Sequence, residues 1–109
     1  MILTEKRCVP CEGGTSPLTD AQKNALLAET PEWTLHNDGT HRITREFTFK
    51  DFAAALQFVN RAGDLAESEG HHPNIEIHYN KVELELFTHA TNGLSENDFI
   101  LAAKIDQIS

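Results

Sequence analysis

Asp51-Phe52-Ala53-Ala54-Ala55-Leu56-Gln57-Phe58-Val59-Asn60-Arg61-Ala62-Gly63-Asp64-Leu65-Ala66-Glu67-Ser68-Glu69-Gly70 decides the fold of this chain. Phe52, Leu56, Val59, Gly63 and Ala66 recur at helical spacing, and Ala55, Phe58, Ala62 and Leu65 make a second stripe beside them. Asp51 is a natural N-cap, because a carboxylate accepts from the free amides of the first turn. Gly70 suits the left-handed residue that closes a helix, and Pro73 pushes His72 towards extended geometry. The spacing therefore predicts a helix over 51–69 with an apolar arc too wide for one contact. One stripe is expected on a sheet and the other on a partner subunit, with Ala55, Phe58 and Ala62 partly wet in a monomer.

Both flanks of this helix read as hairpins. Upstream, Trp33-Thr34-Leu35-His36 is followed by the turn signal Asn37-Asp38-Gly39 and by Ile43, Phe47 and Phe49 alternating with polar residues. Downstream, Ile75, Ile77 and Tyr79 alternate with Glu76 and His78. Val82, Leu84 and Leu86 alternate with Glu83 and Glu85, and Asn80-Lys81 is the expected turn. Thr19 with Gln22, and Ser95 with Asp98, have the spacing of capping boxes that open a first and a last helix. Pro31 ends the first helix near Glu29. Leu101, Ala102, Ile105 and Ile108 give the last one an apolar face. The order α-β-β-α-β-β-α predicts an α+β fold, a four-stranded antiparallel sheet with helices packed on one face. Residues 1–17 hold Pro10, Gly13, Gly14 and Pro17 and show no periodicity, so they are expected as an extended N-terminal arm before a single domain at 18–109.

The composition narrows the function. The chain has 109 residues, with 39% apolar and 24% charged, as in an ordinary single globular domain. Seventeen acidic against nine basic residues give a formal charge of −8. Nucleic acids and anionic membranes call for a basic surface, and no basic stripe is present, so neither is expected as a partner. No apolar run approaches the length of a membrane helix, and Met1-Ile2-Leu3-Thr4-Glu5-Lys6-Arg7 lacks the apolar centre of a signal peptide. A cytoplasmic protein is expected.

The residues with chemistry to offer gather between Glu67 and Asp98. His71 and His72 follow the helix directly, and His89 follows the last strand. Imidazole ionises near neutral pH, so grouped histidines on ordered elements are candidates for proton transfer. At the rim of an α+β sheet a helix end and a strand end can meet, bringing His71, His72 and His89 to one pocket. The plainer readings are a polar His-His loop, a solvated Glu67 and an Asp98 that merely caps the last helix. His36, His41 and His78 have no evident partner and are read as structural. Three histidines and a glutamate also raise the possibility of zinc or iron, but His71 and His72 are neighbours in an extended segment and point apart, and neither H-E-x-x-H nor H-x-H occurs, so no metal is expected. Cys8-Val9-Pro10-Cys11 has the spacing of a redox pair or half a zinc site, but it has no second cysteine pair and lies in the arm, where two reduced thiols are the simpler reading.

Glu67, His71-His72-Pro73, Tyr79, His89 and Asp98 together resemble the pattern of the pterin-4a-carbinolamine dehydratase family. Glu32-Trp33, the run Phe47-Thr48-Phe49-Lys50-Asp51-Phe52 and Thr88-His89 leading to Gly93-Leu94-Ser95-Glu96-Asn97-Asp98 extend the likeness over residues 18–106. The resemblance implies a hydro-lyase that removes water from a 4a-hydroxytetrahydropterin to give the quinonoid dihydropterin, recycling the pterin for aromatic amino-acid hydroxylases. It implies catalytic His71 and His89, His72 orienting the pterin, Glu67 fixing a histidine, and Asp98 and Pro73 in support, with no cofactor. It also implies a homodimer or homotetramer built through helices and sheet edges. Two other classes follow from the same residues: a non-catalytic module, since relatives of this fold serve as a dimerisation cofactor and as Rubisco assembly factors, and a metal-dependent enzyme.

Overall fold

Phe58 of the hydrophobic core packs against the rings of Phe47 and of the partly buried Phe49. The computed structural model describes residues 3–6, 8, 18–88 and 93–109. Its elements are α1 (Asp20–Leu27), β1 (Thr34–His36), β2 (Arg42–Thr48), α2 (Phe52–Glu69), β3 (Asn74–His78), β4 (Lys81–Leu86) and α3 (Glu96–Ile108). The strands form one antiparallel sheet in the order β1-β2-β4-β3. The expected α+β architecture and element order are therefore observed.

Local chemistry sets the helix boundaries. Thr19 and Gln22 close a capping box on α1, with Thr19 Oγ1 accepting from the Gln22 amide at 3.2 Å and Gln22 Oε1 from the Thr19 amide at 2.8 Å. Asp51 Oδ1 accepts from the Ala54 amide at 2.8 Å and starts α2. Gly70 ends α2 with φ at 66°, a left-handed conformation that glycine adopts at little cost.

The sheet alternates as its pattern requires. Ile43, Phe47, Val82, Leu84 and Leu86 are buried against the helices. Phe58 lies 4.6 Å from the Phe47 ring and 5.1 Å from the Phe49 ring, centre to centre. Each such fully buried side chain contributes about 1.5–3 kcal/mol. Across the uncovered face, Glu46, Glu83 and Glu76 stand abreast on three neighbouring strands.

Two expectations about exposure are corrected. In α2, Ala55, Phe58 and Ala62 of the second stripe are buried within one chain, as is Ala66 at the end of the first, while Phe52 and Leu56 of the first remain 46% and 37% exposed. The open part of the helix is thus the start of the first stripe, because the sheet lies under Phe58. Alternation in β3 predicts that every second residue is buried, yet all of them are exposed. Its register puts Ile75 and Ile77 level with Leu84 and Val82 on the helix side, but β3 is the edge strand and α2 packs over β4.

The second turn is also displaced by one residue. His78 pairs with Lys81, so Tyr79-Asn80 is the two-residue loop, and Tyr79 has φ at 54°. Asn80 instead ties the turn to the preceding hairpin, its side-chain amide donating to Phe49 O at 2.9 Å.

Among the described residues of 1–17, a 3-10 turn at Leu3–Glu5 packs on α3 with Leu3 buried, and Lys6 pairs with Glu96. Cys8 is half-buried, and Cys11 lies outside the described residues. Two histidines read as lacking partners have them. His36 is hydrogen-bonded to Thr44 Oγ1 at 2.8 Å, and His41 Nδ1 accepts from the buried Lys23 ammonium at 2.6 Å.

Candidate active site

His71 emerges from the end of α2 already aimed. Its amide donates to Ala66 O at 3.2 Å, and the Gly70 amide donates to Glu67 O, so the backbone leaving the helix is tied back to α2 twice. From there the His71 imidazole reaches α3, where Nε2 donates to Asp98 Oδ1 at 2.6 Å. The imidazole is 12% exposed and the carboxylate is wholly buried.

A buried carboxylate needs its lone pairs satisfied. Asp98 Oδ2 accepts from the Ser95 amide at 2.9 Å and from the Thr88 hydroxyl at 2.8 Å. Since the Thr88 proton is spent on Asp98, Ser95 Oγ donates to Thr88 Oγ1, 2.8 Å away. Asp98 also sits in the first turn of α3, where the helix dipole favours negative charge. The residue therefore caps its helix with one oxygen and orients His71 with the other.

This pairing has a chemical consequence. An ionised carboxylate only accepts, so the Nε2 of His71 carries a proton and Nδ1 is the ring nitrogen left to exchange one.

His72 turns the other way, as expected for successive residues in extended chain. Its Nε2 donates to Glu67 Oε1 at 2.7 Å, with the side chains 62% and 81% exposed. Pro73 follows and leads into β3. The structure thus brings together His71 with Asp98 and His72 with Glu67 as two separate pairs at one end of α2. His89 lies outside the described residues. Thr88, the residue before it, is bridged to Gly93 by backbone hydrogen bonds and touches Asp98, so residue 88 is tied to the His71 pair.

Sequence reading gave Thr88 no role of its own and missed the layer behind Asp98. A hydroxyl directly before His89 was the available signal for Thr88. Behind the pair, Glu69 accepts from Lys104 Nζ at 2.7 Å and from the Cys8 amide at 2.8 Å, and the Cys8 thiol donates to Asn97 O at 3.6 Å. Burial, reinforced by the negative charge of Glu69, pushes the Cys8 thiol up to about 12. Among the described residues no group of three or more histidines, cysteines and carboxylates is gathered as a metal site would require. No helix among them is long and apolar enough to cross a membrane.

Comparison with known proteins gives a consistent picture. The family model described as pterin 4 alpha carbinolamine dehydratase matches residues 16–108. A protein of Halorhodospira halophila named "Putative pterin-4-alpha-carbinolamine dehydratase" is 48% identical over 108 residues, covering 99% of this chain and 98% of its own length. One of the same name from Chlorobaculum tepidum is 47% identical over 107 residues, covering 97% of this chain and 96% of its own. Among solved structures, a transcriptional coactivator/pterin dehydratase from Brucella melitensis superposes with a TM-score of 0.79 at 39% identity, over 85% of this chain and 98% of that one. A pterin dehydratase-like protein identified as a RuBisCO assembly factor in the alpha-carboxysome superposes with a TM-score of 0.60 at 27% identity, over 71% of this chain and 88% of that one. With a family model spanning nearly its whole length and full-length relatives close to half identical, the chain belongs to the pterin-4-alpha-carbinolamine dehydratase family.

Proposed function

We propose that this protein dehydrates 4a-hydroxytetrahydropterins to the quinonoid dihydropterin by histidine acid–base catalysis. The observation that carries the reading is the 2.6 Å hydrogen bond between the wholly buried Asp98 carboxylate and the His71 imidazole. The reaction breaks the bond between C4a and its hydroxyl oxygen. A general acid gives a proton to that oxygen, water leaves, and a general base takes the ring N–H proton as its electrons form the new C=N bond. Two imidazoles in opposite protonation states supply both groups near pH 7 without metal or redox cofactor. His71 and His89 take these two parts, His72 orients the pterin, and Glu67 holds His72. Pro73 keeps His72 on extended backbone beside the site.

Turnover of an enzymatically generated 4a-hydroxypterin tests the proposal. His71→Ala and His89→Ala are each expected to lower the rate by about 10²–10⁴ while the protein stays folded. Full activity in the double variant would remove the assignment. Exhaustive chelation is expected to leave turnover unchanged, and loss of activity with a stoichiometric metal would favour the metal-dependent alternative.

A second reading is favoured by the exposed Phe52 and Leu56 on α2 with Ile75 and Ile77 on the edge strand. Apolar side chains open on a helix and on a sheet edge mark a surface for association. We place a homodimer or homotetramer there. A non-catalytic assembly role, of the kind for which the carboxysome relative is named, would use the same surface. A wild-type protein that associates but never accelerates dehydration would decide for that role.

A further inference from the structure

Glu69 is a carboxylate placed where helix electrostatics opposes one. It is the last residue of α2, and the carbonyls of a final helical turn carry partial negative charge. Its side chain is also 5% exposed, so solvent does little to relieve it. The compensation comes from two distant segments. Lys104 of α3, itself 14% exposed, donates to Oε2 at 2.7 Å, and the Cys8 amide donates to Oε1 at 2.8 Å.

Two residues beyond Glu69, His71 meets the same helix at Asp98. The chain between them has little freedom, because the Gly70 and His71 amides both donate back into α2. Asp98 and Lys104 are six residues apart on α3, about 9 Å along its axis at 1.5 Å per residue. The end of α2 is therefore fastened to α3 at two points, one an ion pair and the other the proton-transferring pair.

We propose that Glu69 and Lys104 are positioning residues for the His71–Asp98 site, and that their ion pair, completed by the Cys8 amide, sets the end of α2 on α3 so that His71 Nε2 meets Asp98. This rests on the reading of that site as an acid–base centre. Near-attack geometry is sensitive to displacements of an ångström. A stability role alone would leave His71 where it is.

Lys104→Met keeps the stem and removes the charge, and Lys104→Arg restores it. Two quantities are read on the full chain: kcat and KM for pterin dehydration, and the ¹⁵N–¹H signal of the His71 Nε2–H group, assigned by its loss in His71→Gln. Lys104→Met is expected to lower kcat about 10- to 100-fold with little change in KM and to shift or broaden the His71 signal, with Lys104→Arg recovering both. Arg45→Met, which breaks the 2.6 Å contact to Asp106 elsewhere on α3, is the control and should move neither. Should Lys104→Met not fold, Glu69→Gln carries the same readouts while keeping an acceptor for the Cys8 amide. A lowered melting temperature with unchanged kcat and an unchanged His71 signal would overturn the proposal. A wild type without dehydratase activity whose His71 signal still answers to Lys104 would overturn the dehydratase reading and leave the positioning role standing.

Discussion

Asp98 is sealed from solvent, yet one 2.6 Å hydrogen bond connects its carboxylate to the His71 imidazole, which is 12% exposed. The other oxygen is taken by Thr88 and the Ser95 amide. Asp98→Asn separates the two duties. The amide oxygen still accepts from Thr88 and Ser95, but the amide nitrogen must donate to His71 Nε2 and so forces the opposite tautomer. Dehydration is expected to fall by about 10²–10⁴ with the fold retained. Asp98→Ala would also remove the buried acceptor that serves Thr88 and the Ser95 amide, costing about 1–3 kcal/mol. Activity and urea denaturation of the two variants separate these effects, and a fully active Asp98→Asn would contradict the tautomer argument.

Glu67 and His72 form an exposed pair, and exposed pairs contribute little stability. Glu67→Ala is expected to change unfolding free energy by no more than about 1 kcal/mol. If Glu67 holds His72 against the pterin, the same variant raises KM more than it lowers kcat. An unchanged KM would place the pair outside the binding site.

Association is expected to depend on the open stripe of α2. Phe52→Glu and Leu56→Glu should lower the mass seen in sedimentation equilibrium while leaving the circular dichroism spectrum intact, because both side chains already meet solvent in one chain. Phe58→Glu is expected to unfold the protein, since Phe58 is fully buried against Phe47 and Phe49. Even Phe58→Ala should cost about 3–5 kcal/mol. A wild type of single-chain mass at micromolar concentration would refute the oligomer.

The Cys8 thiol should be inert, since desolvation first and Glu69 second raise it from 9.0 to about 12. In a Cys11→Ser background at pH 8, the thiolate fraction falls from roughly one in ten to one in ten thousand, so alkylation should proceed only as the chain opens. The linkage has a definite sign. A raised pKa keeps the folded thiol protonated while the unfolded one ionises, so this stabilisation is complete below pH 9 and is lost as pH rises towards 12. Replacing Cys8 by serine should flatten the decline in urea midpoint above pH 9. Rapid alkylation of the native protein would show that the thiol is not buried.

Much of the architecture was decided locally. Thr19 with Gln22, Asp51 with Ala54, and Gly70 satisfy helix ends through groups a few residues away, so their effect is contained in the sequence itself. Strand alternation at Ile43 and Phe47, and at Val82, Leu84 and Leu86, is equally local, because side chains on a strand must point to opposite faces. The pairing of His72 with Glu67 belongs to the same class, five residues apart across a helix end.

Tertiary structure decided what depends on neighbours distant in the chain. Which stripe of α2 is buried depends on where the sheet lies, and periodicity alone treats both stripes alike. The order β1-β2-β4-β3 left Ile75 and Ile77 at an edge, although their alternation resembles that of the interior strand beside them. The capping box established Asp98 as a helix start, but its second oxygen faces His71 only because α2 ends against α3. The same packing placed Lys104 on Glu69, 35 residues away, where a carboxylate at a helix end would otherwise be opposed by the helix itself. Local hydrogen bonds and side-chain periodicity are written in neighbouring residues, whereas the contacts of a buried charge exist only once the chain has folded around it.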